Sequence, residues 1–194
     1  MATAIWETGR CLNESDPEHR KWKKLMDNCP PVDALRGSLL PRPGKKPPLY
    51  HYGFPFTRKY ALDYARRHHL TIPLAVEDRE KLGGRPELDF ADLDDSLLAA
   101  DREVRVFAAA MSCTLMVEDL SRKCDFPLHM GRPFTDAWDG IVSLWSNYDV
   151  EQRFDWCEDH EKIVKILRAA MNEADGHNSL KAQWWFDFGN EILV

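Results

Sequence analysis

The chain has 194 residues, of which 44% are hydrophobic and 30% charged, and its formal net charge is −6. A chain of this length buries roughly 70% of its unfolded surface, and its many large apolar side chains exclude intrinsic disorder of the whole. The longest uncharged apolar-rich stretch, residues 106–117, is shorter than the roughly 20 residues that span a bilayer. The amino terminus lacks the basic leader and apolar run of a secretion signal, so we expect a soluble cytoplasmic protein, and a nuclear location is also compatible.

The cysteines predict a reducing compartment. They are odd in number and widely spread along the chain, at Cys11, Cys29, Cys113, Cys124 and Cys157. A chain of this size does not need disulfides to hold its core together, so we expect free thiols.

The first 48 residues are predicted to form one short helix and an extended segment. Ser15 to Glu18 read as a capping box with a proline in the first turn, and Pro30 ends the helix. Residues 29–48 contain six prolines and two glycines without sustained periodicity, which is typical of an extended connection. We expect residues 1–48 to pack on a single α+β domain formed by residues 49–194, because so short a segment does not fold alone.

Two strands and a helix are predicted next. Residues 49–52 are strand-like and end at a glycine, and residues 57–69 have a threonine cap and an inner apolar face. Residues 70–76 predict a second strand, which its proline confines to a sheet edge. Residues 77–89 have the pattern of a loop.

The strongest periodic signal lies in the middle of the chain. Its apolar residues alternate spacings of four and three, as in a helix of about five turns: Leu93, Leu97, Ala100, Val104, Phe107 and Met111. Residues 113–117 then predict a strand. Further strands are predicted at residues 141–145 and 182–186, and a helix that starts at Asp155 has an apolar face centred on Ile166.

This order of elements predicts an α+β fold. Helices separate most of the strands, which favours a mixed sheet of about four or five short strands with three or four helices packed on it. A three-layer α/β arrangement is the alternative. We expect the apolar faces centred on Phe107 and Ile166 to meet over a shared sheet and form one cooperative body.

The common catalytic and nucleotide-binding motifs are absent from the sequence. It contains no Walker loop, no G-x-G-x-x-G turn, no H-E-x-x-H and no G-x-S-x-G. This favours a binding or regulatory protein over an enzyme and predicts no cofactor.

Four cysteine and histidine residues are the sharpest candidates for chemistry. Cys124 and His129, with Cys157 and His160, are ligand types that zinc prefers. The four residues between Cys124 and His129 are a wide spacing for a zinc site, and a predicted strand separates the two pairs. Packing in the core accounts for these side chains equally well, so we expect no metal. Cys157 near a helix amino terminus, with His160 or His129 as its base, suggests a small cysteine-dependent enzyme as an alternative, although the acids beside Cys157 oppose it.

Aromatic residues near the predicted strand ends indicate a binding surface or pocket. The candidates are Tyr50, Tyr52, Tyr64 and Trp185. Rings near strand ends are typical of sites for small molecules or for a partner protein. We therefore predict a binding or regulatory domain whose ligand is a small molecule or another protein.

The charge of the chain is unevenly distributed. Residues 1–72 hold 13 Lys and Arg against 7 Asp and Glu, and residues 73–194 hold 13 against 25, giving +6 and −12. Basic residues are interleaved with aromatics from Trp22 to Lys59, a mixture typical of single-stranded nucleic-acid binding through this basic N-terminal third. The whole-chain pI of about 5.6 argues against a nucleic-acid partner, so this function is an alternative to the binding pocket.

Two segments, Leu49 to His68 and Lys181 to Asp187, resemble small uncharacterised proteins of mushroom-forming fungi. The resemblance carries no catalytic signature. It implies no activity, cofactor or partner, and no functional residue is carried over from it.

Overall fold

The computed structural model describes residues 17–81, 84–150, 160–173 and 180–188. The chain divides into two compact units. The described part of the first unit is Arg58–Glu118, and that of the second comprises residues 17–57 and 119–188 with the gaps given above. A single domain spanning residues 49–194, with both apolar faces in one cooperative body, stays a prediction.

The described residues form helices and strands that alternate irregularly along the chain. In chain order they are α1 (Pro17–Asp27), a 3-10 turn (Gly37–Leu39), β1 (Tyr50–Phe56), α2 (Arg58–Arg67), β2 (Thr71–Pro73), α3 (Val76–Lys81), β3 (Glu87–Asp89), a second 3-10 turn (Phe90–Asp92), α4 (Asp95–Ala100), α5 (Arg102–Cys124), β4 (His129–Gly131), β5 (Gly140–Ser146), α6 (His160–Met171) and β6 (Gln183–Phe186). The α+β class is confirmed. Among the described residues, no helix combines the length and apolarity needed to cross a bilayer.

The second unit is built on a four-stranded sheet with the order β4-β5-β1-β6. Every pairing in it is antiparallel, where a mixed sheet was expected. Strand β1 is central because it pairs with β5 on one edge and with β6 on the other. Helix α6 packs against β1 and buries Ile163, Leu167 and Met171, which share one face at a spacing of four.

Strand β1 continues to Phe56, past the glycine and the proline that were expected to end it. Its register with β5 shifts between Tyr52 and Gly53, so that Tyr52 faces Trp145 and Gly53 faces Ser143. At this bulge a side chain on residue 53 would lie 2.0 Å from the Val142 carbonyl oxygen. Pro55 lies beyond the part of β1 that pairs with β6, where one edge is unpaired and proline is tolerated.

The first unit is held by an apolar cluster between α2, the two-stranded β2-β3 sheet and the helices that follow. Its buried members are Leu62, Ala65, Leu74, Leu88, Phe90, Leu93, Leu98, Val104 and Ala108. Strand β2 has β3 as its pairing partner, which agrees with the edge position expected from Pro73. Residues 77–89, expected to be a loop, instead contain all of α3 except its first residue and all of β3.

The long helix expected over residues 93–111 is interrupted at Asp101, which is extended. The Asp101 carboxylate accepts hydrogen bonds from the backbone amides of Glu103 and Val104, so this residue ends α4 and caps α5. The strand predicted at residues 113–117 is wrong, because these residues lie inside α5. Their burial follows helical spacing, and packing of an apolar face outweighs the weak strand preference of threonine and valine.

Gly53 provides a test of the bulge. Replacing it in a Gly53→Ala variant forces the new methyl group against the backbone of β5, and backbone cannot move aside as a flexible side chain can. We expect a loss of about 3 kcal/mol or more in the free energy of unfolding, measured by urea denaturation. Gly37→Ala is the matched control because its methyl group would meet only ordinary contacts. Equal stability of the two variants would contradict the bulge geometry.

Candidate functional site

The second unit contains a cavity of about 340 Å³ against the sheet. Its lining comprises three aromatic, four aliphatic and two polar side chains: Tyr52, Trp145, Trp184, Ala34, Leu35, Leu40, Val150, Asp33 and His160. The sheet supplies the aromatic wall, while the proline-rich segment and the region around α6 supply the rest. Apolar lining with a few polar groups is typical of small-molecule sites.

The aromatic wall follows from the register of the sheet. Tyr52 lies directly opposite Trp145 of β5 and Trp184 of β6, and residues opposite each other across antiparallel strands share a face. The Tyr52 ring stacks on Trp145 with centroids 5.5 Å apart and lies 5.2 Å from the Trp184 ring. The result is a continuous row of three rings.

The proline-rich segment is fixed to the sheet edge beside this row. Val32 and Trp184 exchange two backbone hydrogen bonds, with N–O distances of 3.0 and 2.9 Å. Asp33 follows directly, and its Oδ1 atom accepts hydrogen bonds from Lys181 Nζ at 2.8 Å and Gln183 Nε2 at 2.9 Å. The segment that sequence reasoning assigned to a connection therefore forms a wall of the cavity.

Two polar groups at the cavity, Asp33 and Tyr52, have shifted pKa values. Hydrogen bonds from Lys181 and then Gln183 lower the pKa of Asp33, so its carboxylate is ionised near neutral pH. Burial raises the pKa of Tyr52, while the positive charge of Arg168 lowers it and the negative charge of Asp33 raises it. Because its pKa is raised, the Tyr52 hydroxyl is neutral near pH 7 and keeps its proton.

The predicted aromatic residues do not come together as one set. Tyr52 lines the cavity, and Tyr50 lies on the same strand with its ring 5.3 Å from Phe186. Trp185 alternates with Trp184 along β6, pairs with His51 and faces away from the cavity. Tyr64 is completely buried on α2 in the other unit, so it offers no surface to a ligand. Sequence reasoning missed Trp145 and Trp184.

The opposite face of the sheet holds a polar network that the sequence did not reveal. His51 Nδ1 lies 3.2 Å from Ser143 Oγ, and His51 Nε2 lies 3.3 Å from Asp187 Oδ2. The same carboxylate oxygen accepts the backbone amide of Arg132 at 3.2 Å. A side chain on Gly131 would lie 2.9 Å from the His51 ring, so the glycine leaves room for the imidazole.

Serine, histidine and aspartate are the residue types of a hydrolase triad, but here they hold strands together. Ser143 is fully buried in β5, between β1 and β4, and its hydroxyl donates to the Trp145 carbonyl oxygen at 3.1 Å. A nucleophile must reach its substrate, and this position does not allow it. The network instead links β1, β5 and the residue that follows β6.

The predicted cysteine and histidine site is only partly within the described residues. Cys157 lies outside them. Cys124 is buried at the end of α5, His129 is exposed on β4, and His160 lines the cavity with its ring 6.1 Å from Trp145. In the described part of the chain no three His, Cys, Asp or Glu residues are grouped to hold a metal ion.

Comparisons of the chain with protein-family models, with curated proteins and with solved structures give no match.

Asp187 tests the polar network. An Asp187→Ala variant removes the acceptor shared by His51 and the Arg132 amide, and we expect it to lose about 1–3 kcal/mol of unfolding free energy, the usual cost of leaving such groups unpaired. Asp187→Asn keeps one acceptor oxygen and should lose less. Urea denaturation of both variants measures the difference, and wild-type stability of Asp187→Ala would show that the network contributes nothing.

Cys124 tests the thiol chemistry. Burial raises its pKa to about 11, against the opposing charge of Lys123, so at pH 8 only about one molecule in a thousand carries the reactive thiolate. We expect iodoacetamide to modify Cys124 much more slowly in the native protein than in urea, as measured by peptide mapping. Equal rates in the two states would contradict its burial.

Proposed function

We propose that this chain is a binding protein whose cavity takes a small, largely apolar molecule. The observation that carries the proposal is the row of Tyr52, Trp145 and Trp184 along one wall of a cavity of about 340 Å³. Ligand sites typically enclose about 300–1,000 Å³ and are lined by apolar and aromatic groups with few polar ones. A flat aromatic ligand gains binding free energy by stacking on such rings.

The polar rim supports a ligand with one hydrogen-bonding edge. Asp33, His160 and Tyr52, whose hydroxyl is protonated at neutral pH, line the cavity. Burial of its apolar body holds such a ligand in the cavity, and a few polar groups orient it.

The described cysteines support the proposed cytoplasmic or nuclear location. Cys29 and Cys124 form no disulfide among the described residues, as is usual in a reducing compartment.

The binding of a neutral polarity-sensitive dye, 1-aminoanthracene, tests the proposal. We expect saturable fluorescence enhancement with the wild-type protein. A Leu40→Trp variant, whose larger side chain fills the cavity, should bind the dye at least about tenfold more weakly. A tenfold loss corresponds to about 1.4 kcal/mol of binding free energy. That is less than the free energy lost when several apolar groups of the dye stay in water, at about 0.8 kcal/mol per methylene-sized group.

Leu39→Trp is the matched control, because Leu39 is adjacent in sequence but does not line the cavity. It should bind the dye as the wild type does, and both variants should keep the wild-type melting temperature within a few degrees. Absence of saturable binding to the wild type, or equal binding by both variants, would remove the proposal. Native mass spectrometry of freshly purified protein would show whether a ligand is retained.

A further inference from the structure

The second unit presents four cations on one exposed segment that contains no acid. Arg36, Arg42, Lys45 and Lys46 are all exposed, and residues 34–62 contain neither Asp nor Glu. None of the four has an ion-pair partner among the described residues. We call residues 36–48 the basic turn. The basic turn is thus a positively charged region on a chain whose net charge is −6.

The basic turn has a defined backbone conformation. Arg42 and Lys45 form an antiparallel bridge, with N–O distances of 3.3 and 2.9 Å, around Pro43 and Gly44. Gly44 has a φ of +76°, which a type II turn requires and which proline before it favours. The Arg42 guanidinium also donates to the Gly37 carbonyl oxygen at 3.4 Å. These contacts hold the cations close together.

The base of the basic turn is fixed to the sheet. Asn147, directly after β5, is 1% exposed, and its side-chain amide donates to the Leu39 and Pro48 carbonyl oxygens at 2.7 and 2.9 Å. Its Oδ1 atom accepts the Tyr50 amide at 2.9 Å. Two of these hydrogen bonds join the turn to the end of β5, and the third joins Asn147 to β1. The cations therefore sit on a pre-ordered support, and binding costs little conformational entropy.

An exposed aromatic ring lies beside the cations. Tyr148 is 40% exposed, and its hydroxyl donates to the Pro47 carbonyl oxygen, next to Lys46. The nearby Asp149 carboxylate is engaged by the Ser146 amide and hydroxyl, at 2.9 and 2.8 Å. Cations beside an exposed ring are the combination that binds the phosphates and bases of a single strand.

From this juxtaposition we propose that the basic turn and Tyr148 bind single-stranded nucleic acid. The four cations contact successive phosphates, and one base stacks on the Tyr148 ring. Phe54 and Phe56, which follow along the chain, do not take part because they are buried. The site is small, and its sequence preference is low because every base presents a flat face.

The salt dependence of binding tests this site. Fluorescence anisotropy of a labelled oligothymidylate of about 20 nucleotides measures the association constant between about 0.05 and 0.2 M KCl. A plot of its logarithm against the logarithm of the salt concentration should have a slope of roughly −3, because each of the four phosphates neutralised on a single strand contributes about −0.7. A Lys45→Gln/Lys46→Gln variant should reduce the slope to roughly −1.5. Lys162→Gln/Lys165→Gln, with the same charge change on the exposed face of α6, should leave it unchanged.

The ring contribution is tested separately. Tyr148→Leu should weaken binding about five- to a hundredfold at every salt concentration, as expected for loss of one stacked base, with the slope unchanged. Tyr148→Phe, which keeps the ring, should stay close to the wild type. An unchanged slope in the Lys45/Lys46 variant, equal losses in both lysine variants, or binding to vesicles rich in anionic lipid without binding to the oligonucleotide would each overturn the proposal.

Discussion

Strand β1 is the element on which the rest of the second unit depends, because it pairs with β5 along one edge and, over residues 50–53, with β6 along the other. Alternation along a doubly paired strand sends successive side chains to opposite faces. Tyr52 therefore joins the aromatic row, and its neighbour His51 joins the polar network. One strand thus separates an apolar wall that can receive a ligand from a buried set of hydrogen bonds that holds the sheet.

The bulge beside Tyr52 allows β5 to contribute to the aromatic row on one face of the sheet and to the polar network on the other. Leu144 is skipped in the pairing, so Trp145 faces Tyr52 while Ser143 faces the His51 side. Without the extra residue, regular alternation would put Ser143 and Trp145 on the same face. The Gly53 backbone lies too close to Val142 for a side chain, which explains why a residue that looks like a strand terminator lies within the strand.

The end of β5 connects the two proposed binding regions. Trp145 lines the cavity, and two residues later Asn147 ties down the basic turn. Leu40 also belongs to both regions, since it lines the cavity and lies within residues 36–48. The position of the proline-rich segment against the sheet explains its high proline content. Its prolines limit the conformations of a chain that must lie extended against the sheet without a ladder of its own.

The pattern of apolar residues predicted α1, α2, α6, β5 and β6, because such patterns act over a few residues. The caps predicted at Ser15 and Asp155 lie outside the described residues. The sequence also singled out Tyr52, which lines the cavity. Only the tertiary structure decided that residues 113–117 are helical, that Trp184 rather than Trp185 lines the cavity, and that His51 meets Asp187. Residues 113–117 are helical because their apolar face packs as part of α5. For the sheet residues the reason is register: a shift of one residue between strands exchanges the faces of every side chain, and register is set by partners far away in the chain.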